Sequence, residues 1–178
     1  MLYAVAVPSA LMALERVDHF VDLIEASGQP DAFFDARLAP DMLDLAAQLR
    51  TTVVFALRVT LPLAGQPPEA GKFPRSIDGL RARTAHARAL ILALKPESFA
   101  GSENRVIAHR AGFADLEQSG GEYLSTFALP NLWFHLSAAF AILRMRGLPV
   151  GKADFDGLHS YPAGFSWEVA QPPKGQAT

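Results

Sequence analysis

The sequence contains no cysteine, and this absence removes three kinds of chemistry at once. Without thiols the chain can form no disulfide, offers no cysteine nucleophile and supplies no thiolate ligand to a metal. Any site must therefore be built from histidine, carboxylate, hydroxyl, amide or guanidinium groups. Half of the 178 residues are hydrophobic and 19% are charged, which is the composition of one ordinary globular domain.

The sequence also lacks an excess of positive charge and a long hydrophobic run. Its formal net charge of −2 provides no field that attracts phosphates, so nucleic acid is not an expected partner. The most apolar stretch, Leu132 to Leu143, is shorter than the roughly 20 residues of a membrane-spanning helix. The N-terminal segment has no basic region and runs into Glu15 and Arg16, unlike a signal peptide. We therefore expect a cytoplasmic protein that does not associate with membranes.

Apolar residues recur at three- and four-residue steps in four segments, which predicts four helices. Their expected ranges are 8–27, 40–60, 76–95 and 131–146. Pro40 suits the first position of the second helix, and Ser76 suits the N-cap of the third. The fourth segment is apolar nearly all round, so we expect that helix at the centre of the protein. The arginines of the third helix, Arg83 among them, are expected to point mostly outward.

A long connection separates the third and fourth predicted helices. Alternation from Arg105 to His109 predicts a small hairpin or an extended crossover. Ser119 and Glu122 have the spacing of a capping box, which predicts a helical turn that Pro130 should break or kink. The whole pattern predicts a mainly all-α, antiparallel four-helix bundle over residues 1–165, followed by a flexible tail at 166–178.

Motifs for metal binding and nucleophilic catalysis are missing from the sequence. No two of the five histidines have the i, i+4 spacing that would place both imidazoles on one helical face. Neither H-E-x-x-H nor the Glu-x-x-His of di-iron bundles occurs. The serine motif G-x-S-x-G and the phosphate loop G-x-x-x-x-G-K are also absent.

His135 is the most informative single residue, because it lies mid-helix between Phe134 and other apolar side chains. A buried imidazole needs a partner, since an unpaired buried polar group costs about 1–3 kcal/mol. Asp41 and Gln48, on one edge of the second predicted helix, are the expected partners. Two interpretations remain open at this stage. His135 is either a hydrogen-bonded structural histidine or the floor of a ligand pocket, where Asp41 could add an oxygen ligand for a metal.

Three blocks of sequence, in order and over nearly the whole chain, carry a family resemblance. They are Arg37-Leu38-Ala39-Pro40-Asp41-Met42 with Gln48, Phe127 to His135 continuing to Arg144, and Gly147 to Phe155. These blocks resemble an uncharacterised bacterial family of DinB/YfiT-like four-helix bundles. The resemblance implies the bundle fold and often a homodimer. It also implies kinship with metal-dependent enzymes that act on small molecules.

The metal site of that superfamily takes three histidines, one from the second helix and two from the fourth at i, i+4 spacing. Here the second predicted helix has no histidine, and the positions four residues before and after His135 are Asn131 and Ala139. The usual three-histidine site is therefore absent. If a divalent metal binds at all, His135 is the one ligand that the resemblance carries over.

Three functional hypotheses follow from the sequence. The first is a bundle that binds a small molecule in a pocket formed by His135, Asp41, Gln48, Asn131 and Tyr123. The second is a metal-dependent hydrolase or transferase with an atypical ligand set. The third is an interaction protein that forms a homodimer through Trp133, Phe134 and the aromatic residues Phe155, Tyr161, Phe165 and Trp167. Whether the chain is an enzyme stays open, and the binding bundle ranks first.

Overall fold

Four long helices carry the fold, in the order that the sequence pattern predicts. A computed structural model describes residues 2–162 and residue 165. The helices are α1 (Tyr3–Ala26), α2 (Pro30–Phe34), α3 (Leu45–Thr60), α4 (Ile77–Leu92), α5 (Gly120–Glu122), α6 (Leu129–Met145) and α7 (Lys152–Asp156), and the strands are β1 (Val106–Ala111) and β2 (Ala114–Ser119). Short 3₁₀ turns lie at Pro62–Ala64 and Pro96–Phe99. The predicted mainly helical bundle is confirmed.

The centre of the bundle is α3, which packs against α1, α4 and α6. Its apolar stripe, including Leu49, Val53 and Ala56, is fully buried. The expectation that the fourth bundle helix would lie at the centre is wrong, because α6 packs mainly on α3 and turns its other face to solvent. Phe134 on that outer face is 55% exposed. The sequence of α6 is apolar on every side, but only the side that faces the bundle is buried.

Two helix starts differ from the predicted ones. α1 already begins at Tyr3 and includes Pro8. The proline is tolerated because Pro8 and Ala4 are both exposed, so the Ala4 carbonyl that lacks a helical donor can bind water. α3 begins at Leu45 instead of Pro40, because Asp44 is the N-cap and accepts a 2.8 Å hydrogen bond from the Ala47 N–H.

The connection between α4 and the last bundle helix contains the predicted hairpin. β1 and β2 pair antiparallel, from Val106 opposite Ser119 to Ala111 opposite Ala114. The turn between them contains Gly112 at φ 61°, a left-handed conformation that favours glycine. Ser119 then caps the following helix as predicted, with its hydroxyl accepting from the Glu122 N–H at 3.3 Å.

From Gly120 to Met145 the chain forms one continuous helix, in which a π-helical turn at Tyr123–Ala128 joins α5 to α6. The predicted break at Pro130 is wrong, because the helix continues through the proline to Met145. The alternative, a kink at Pro130, stays a prediction. This helix is long and apolar enough to cross a membrane by length and composition alone. Its inner face packs on α3 in the core of the bundle.

The short helix α7 packs back on α1 of the bundle. The rings of Phe155 and Phe140 meet edge to face, 5.7 Å between centroids. Asp154 accepts a 2.8 Å hydrogen bond from Nε2 of His19 on α1. His19 is half-buried, because α7 packs on this part of α1. The predicted tail at 166–178 lies outside the described residues.

Candidate functional site

His135 and Gln48 contact each other across the α3–α6 interface. Nδ1 of His135 lies 2.7 Å from Oε1 of Gln48, whose side-chain amide donates in turn to the Leu43 carbonyl at 3.4 Å. Because the amide oxygen can only accept, Nδ1 carries the proton and Nε2 is the free acceptor of the neutral ring. Gln48 is 1% exposed, so this hydrogen bond satisfies a buried amide. The Gln48 partner expected from the sequence is confirmed.

Aromatic packing holds the His135 ring in place. Its ring stacks on Phe55 of α3 with 5.5 Å between centroids and 22° between planes. Burial lowers the pKa of His135 from its ordinary value, because the imidazolium would lose solvation there. The two helices that would supply the superfamily's metal ligands are thus joined here by a neutral amide–imidazole hydrogen bond.

The other three predicted site residues have other contacts. Asp41 is exposed in the turn before α3, because the helix begins four residues after it, so it is no buried partner of His135. Asn131 uses its side-chain amide to donate to the Phe127 carbonyl at 2.8 Å. Tyr123 is buried and donates its hydroxyl to the Arg58 carbonyl at 3.0 Å. Burial raises the pKa of Tyr123 to about 12.

Among the described residues, no group of three or more histidine, aspartate and glutamate side chains is placed to hold a metal ion. The histidines outside α6 have their own contacts. His109 bonds Gln118 at 2.8 Å, and His159 bonds Asp156. The donors expected for an atypical metal site are therefore not gathered around His135.

The most enclosed of four prominent pockets in the described part of the chain lies away from His135, which lines none of them. We call it the arginine pocket. It has a volume of about 180 Å³ and lies where α3 and α4 begin. Its walls are formed by Phe34, Asp44, Ala46, Ala47, Arg50, Phe73, Pro74, Arg75, Ser76, Leu80 and Arg83.

Local structure explains how these segments meet. Asp44 and Ser76 cap α3 and α4, which fixes the first turn of each helix beside the pocket. The backbone of Pro74 passes so close to Gly79 that a Cβ there would lie 2.1 Å from the Pro74 carbonyl oxygen. Glycine at position 79 therefore permits the segment from Phe73 to Ser76 to form one wall of the pocket.

Arg83 is the most unusual side chain of the arginine pocket, because it is only 7% exposed. Among the described residues, its guanidinium has one hydrogen-bond partner, the Ala70 carbonyl at 3.3 Å, and no carboxylate forms an ion pair with it. It also lies over the ring of Phe73, 5.0 Å from the centroid. Burial lowers the pKa of Arg83 from its ordinary value, and the positive charge of nearby Arg50 lowers it further.

Of the other two arginines that line the pocket, Arg75 is paired with described carboxylates and Arg50 is not. Arg75 pairs with Asp35 at 2.5 Å and with Asp44 at 3.1 Å, so its charge is neutralised within the chain. Arg50 is exposed and has no ion pair with a described carboxylate. Arg50 and Arg83 therefore leave two positive charges at one pocket without a described counter-charge.

The sequence interpretation missed this pocket, although one signal was present. Arg83 follows Leu80 by three residues and precedes Ala87 by four, so it lies on the same inward-facing sector of α4. The expectation that Arg83 points outward is wrong, because the loop before α4 folds back and covers it, as its bond to Ala70 shows. Sequence periodicity could place Arg83 on that face, but it could not place the loop.

Comparison with known proteins agrees with the fold. The DUF1993 family, described as a domain of unknown function, matches residues 2–156. The chain is also similar to a DinB family member from Shewanella denitrificans of known crystal structure. That similarity covers 92% of this chain and 96% of the other, at 28% identity and a TM-score of 0.78. No protein of curated function matches the sequence. The chain therefore belongs to the DUF1993 family and has a DinB-like helical fold.

Proposed function

We propose that this protein is a cytoplasmic small-molecule-binding bundle, and that its ligand is an anion held in the arginine pocket. One observation carries the proposal. The buried guanidinium of Arg83 borders an open pocket and has no described carboxylate partner. Buried charges in proteins are normally paired, because an unpaired one loses hydration without compensation. A bound anion would supply the missing partner.

The geometry favours this pocket over the one expected beside His135. The imidazole of His135 already has a partner in Gln48 and a stacking partner in Phe55. Arg83 keeps most of its five N–H donors, and Arg50 adds a second guanidinium near the same space. A guanidinium can hold a carboxylate or phosphate through two parallel hydrogen bonds. The small-molecule hypothesis is thus retained, with a different site.

The first test is thermal unfolding of Arg83→Met in a series of small anions at constant ionic strength. Methionine keeps a flexible side chain without the buried charge, so the free variant should be more stable by about 1 kcal/mol, roughly 2–4 °C. Wild type should gain about 3–5 °C at an anion concentration ten times its dissociation constant, and Arg83→Met should gain nothing.

The matched control is Arg81→Gln, on the same helix but outside the arginine pocket. Arg81 pairs with Asp22 and Glu25 at the surface, so its loss should cost little. The control should keep the full response to anions. Equal shifts in wild type and Arg83→Met would mean that anions act on the surface in general, and the proposal would be wrong.

A second candidate function, homodimer formation, is favoured by the outer face of α6. Phe134, Ser137, Ala141 and Met145 follow each other at three- and four-residue steps, so they form one mostly apolar stripe. Phe134 is more than half exposed, and so is Met145. An aromatic side chain on an exposed apolar stripe is a typical anchor of a protein interface.

We expect a dimer by light scattering at high micromolar concentration, and Phe134→Glu should convert it to a monomer. The control is Phe113→Glu at the tip of the hairpin, an equally apolar and almost fully exposed residue that lies off α6. It should leave the dimer intact. A wild-type protein that remains monomeric at high concentration would remove this candidate.

A further inference from the structure

The arginine pocket has charged walls and apolar walls, and together they indicate that its ligand has an apolar part as well as a negative charge. Arg83 and Arg50 supply positive charge, whereas Phe34, Leu80 and Ala46 supply buried apolar surface. An inorganic anion would use the guanidinium groups and leave this apolar surface without a partner. A ligand with a charged end and an apolar body would contact both kinds of wall.

The aromatic rings lie beside the cations. The guanidinium of Arg83 is 5.0 Å from the centroid of Phe73, and that of Arg75 is 5.8 Å from the centroid of Phe34. An apolar group that enters next to a guanidinium-bound carboxylate therefore meets a ring or an aliphatic side chain. Such pockets, apolar with a few convergent polar groups, are the usual form of small-molecule sites.

The size of the pocket limits the body of the ligand. At about 180 Å³ it is slightly larger than the engineered protein cavity of about 150 Å³ that takes up benzene. A nucleotide or a long acyl chain exceeds this volume, and acetate leaves most of it empty. A single six-membered ring with one carboxylate fits it.

The carboxylate of Asp44 in the pocket wall disfavours a dianion, although the two unpaired guanidinium groups of Arg50 and Arg83 would attract one. Asp44 also lines the pocket, where its carboxylate caps α3 and pairs with Arg75. It would repel the second charge of a phosphate group, whereas a planar carboxylate matches the fork of a single guanidinium.

From these observations, and resting on the proposed function, we infer that the ligand is a compact organic monocarboxylic acid with one aromatic or alicyclic ring. Its carboxylate pairs with Arg83, assisted by Arg50. Its ring lies against Phe34, Phe73 and Leu80.

Calorimetric titration at constant ionic strength tests the inference, with benzoate, cyclohexanecarboxylate, acetate, inorganic phosphate and the neutral isostere benzamide as probes. Wild type should bind benzoate and cyclohexanecarboxylate at least tenfold more tightly than acetate or phosphate, and benzamide should not bind measurably. Arg83→Met should no longer bind the two ring acids, and Arg81→Gln should bind them as tightly as wild type does.

A second variant, Ala47→Leu, probes the wall that contacts the ring. Ala47 lines the pocket and is only half-buried, so a larger side chain can project into the pocket without straining the core. This variant should bind benzoate and cyclohexanecarboxylate at least tenfold more weakly than wild type does. Its affinity for acetate should fall by less.

The outcomes separate this inference from the proposed function. If acetate or phosphate binds through Arg83 as well as benzoate does, the anion site stands and the organic-acid inference is wrong. If benzamide binds as tightly as benzoate, the inference is also wrong, because the carboxylate then contributes nothing. If no probe binds in an Arg83-dependent manner, both proposals are wrong.

Discussion

At the scale of single residues, contacts that join two helices were predictable only in part. The pairing of His135 with Gln48 follows from burial of an imidazole and the need for a partner, and the structure confirms it. The predicted pairing of His135 with Asp41 is wrong, because it required α3 to begin at Pro40, whereas α3 begins at Leu45. Arg83 shows the opposite case: its position on α4 pointed inward, but its charge suggested the surface.

His135 should make stability depend on pH. Burial holds its pKa in the folded state below the unfolded value of about 6.5, so the unfolded chain binds the proton more readily. The contribution of the neutral ring is fully present above about pH 6.5, and it is lost as pH falls through the folded pKa.

His135→Leu removes this titration and leaves the buried Gln48 amide without its partner, at a cost of about 1–3 kcal/mol at pH 8. The gap in unfolding free energy between wild type and variant should narrow from pH 8 to pH 5, because only wild type loses the His135 contribution. Urea titrations of both proteins at pH 8 and at pH 5 measure this difference in unfolding free energy. His86→Gln, at an exposed position on α4, is the control and should follow wild type. A gap that widens at pH 5 would contradict this account of His135.

At the scale of elements, helix existence was predictable and helix boundaries were less so. All four long helices and the hairpin appear where the periodicity places them. The start of α3 was misplaced, because Pro40 and Asp44 both carry start signals and the sequence could not show which one prevails. The predicted last bundle helix was too short, because no sequence signal indicates the π-helical turn before Pro130 that joins α5 to α6.

Two aspartates near that boundary provide a direct test of where α3 begins. Asp44→Ala removes the bond to the Ala47 N–H and a partner of Arg75, so it should cost about 1 kcal/mol, roughly 2–4 °C. Asp41→Ala, three residues earlier and exposed, should stay within about 0.5 kcal/mol of wild type. Thermal unfolding compares the two variants. The reverse order of effects would place the helix start at Pro40.

At the scale of the whole molecule, the sequence predicted the fold better than the site. Three ordered sequence blocks were enough to suggest the DinB-like bundle, and the DUF1993 match over residues 2–156 agrees with them. The arginine pocket was not predictable in the same way. It is formed by segments from α2, α3, α4 and the loop before α4, and no local pattern records how such segments meet.

We propose that Arg83 pairs with a bound anion, because no carboxylate among the described residues pairs with it. The most direct test of this proposal is a crystal structure grown with 4-bromobenzoate, in which anomalous scattering locates the bromine. The account predicts one bromine peak inside the arginine pocket, with the carboxylate within hydrogen-bonding distance of the Arg83 guanidinium. A pocket without bromine, in which Arg83 is ion-paired to a carboxylate of the chain itself, would contradict the account.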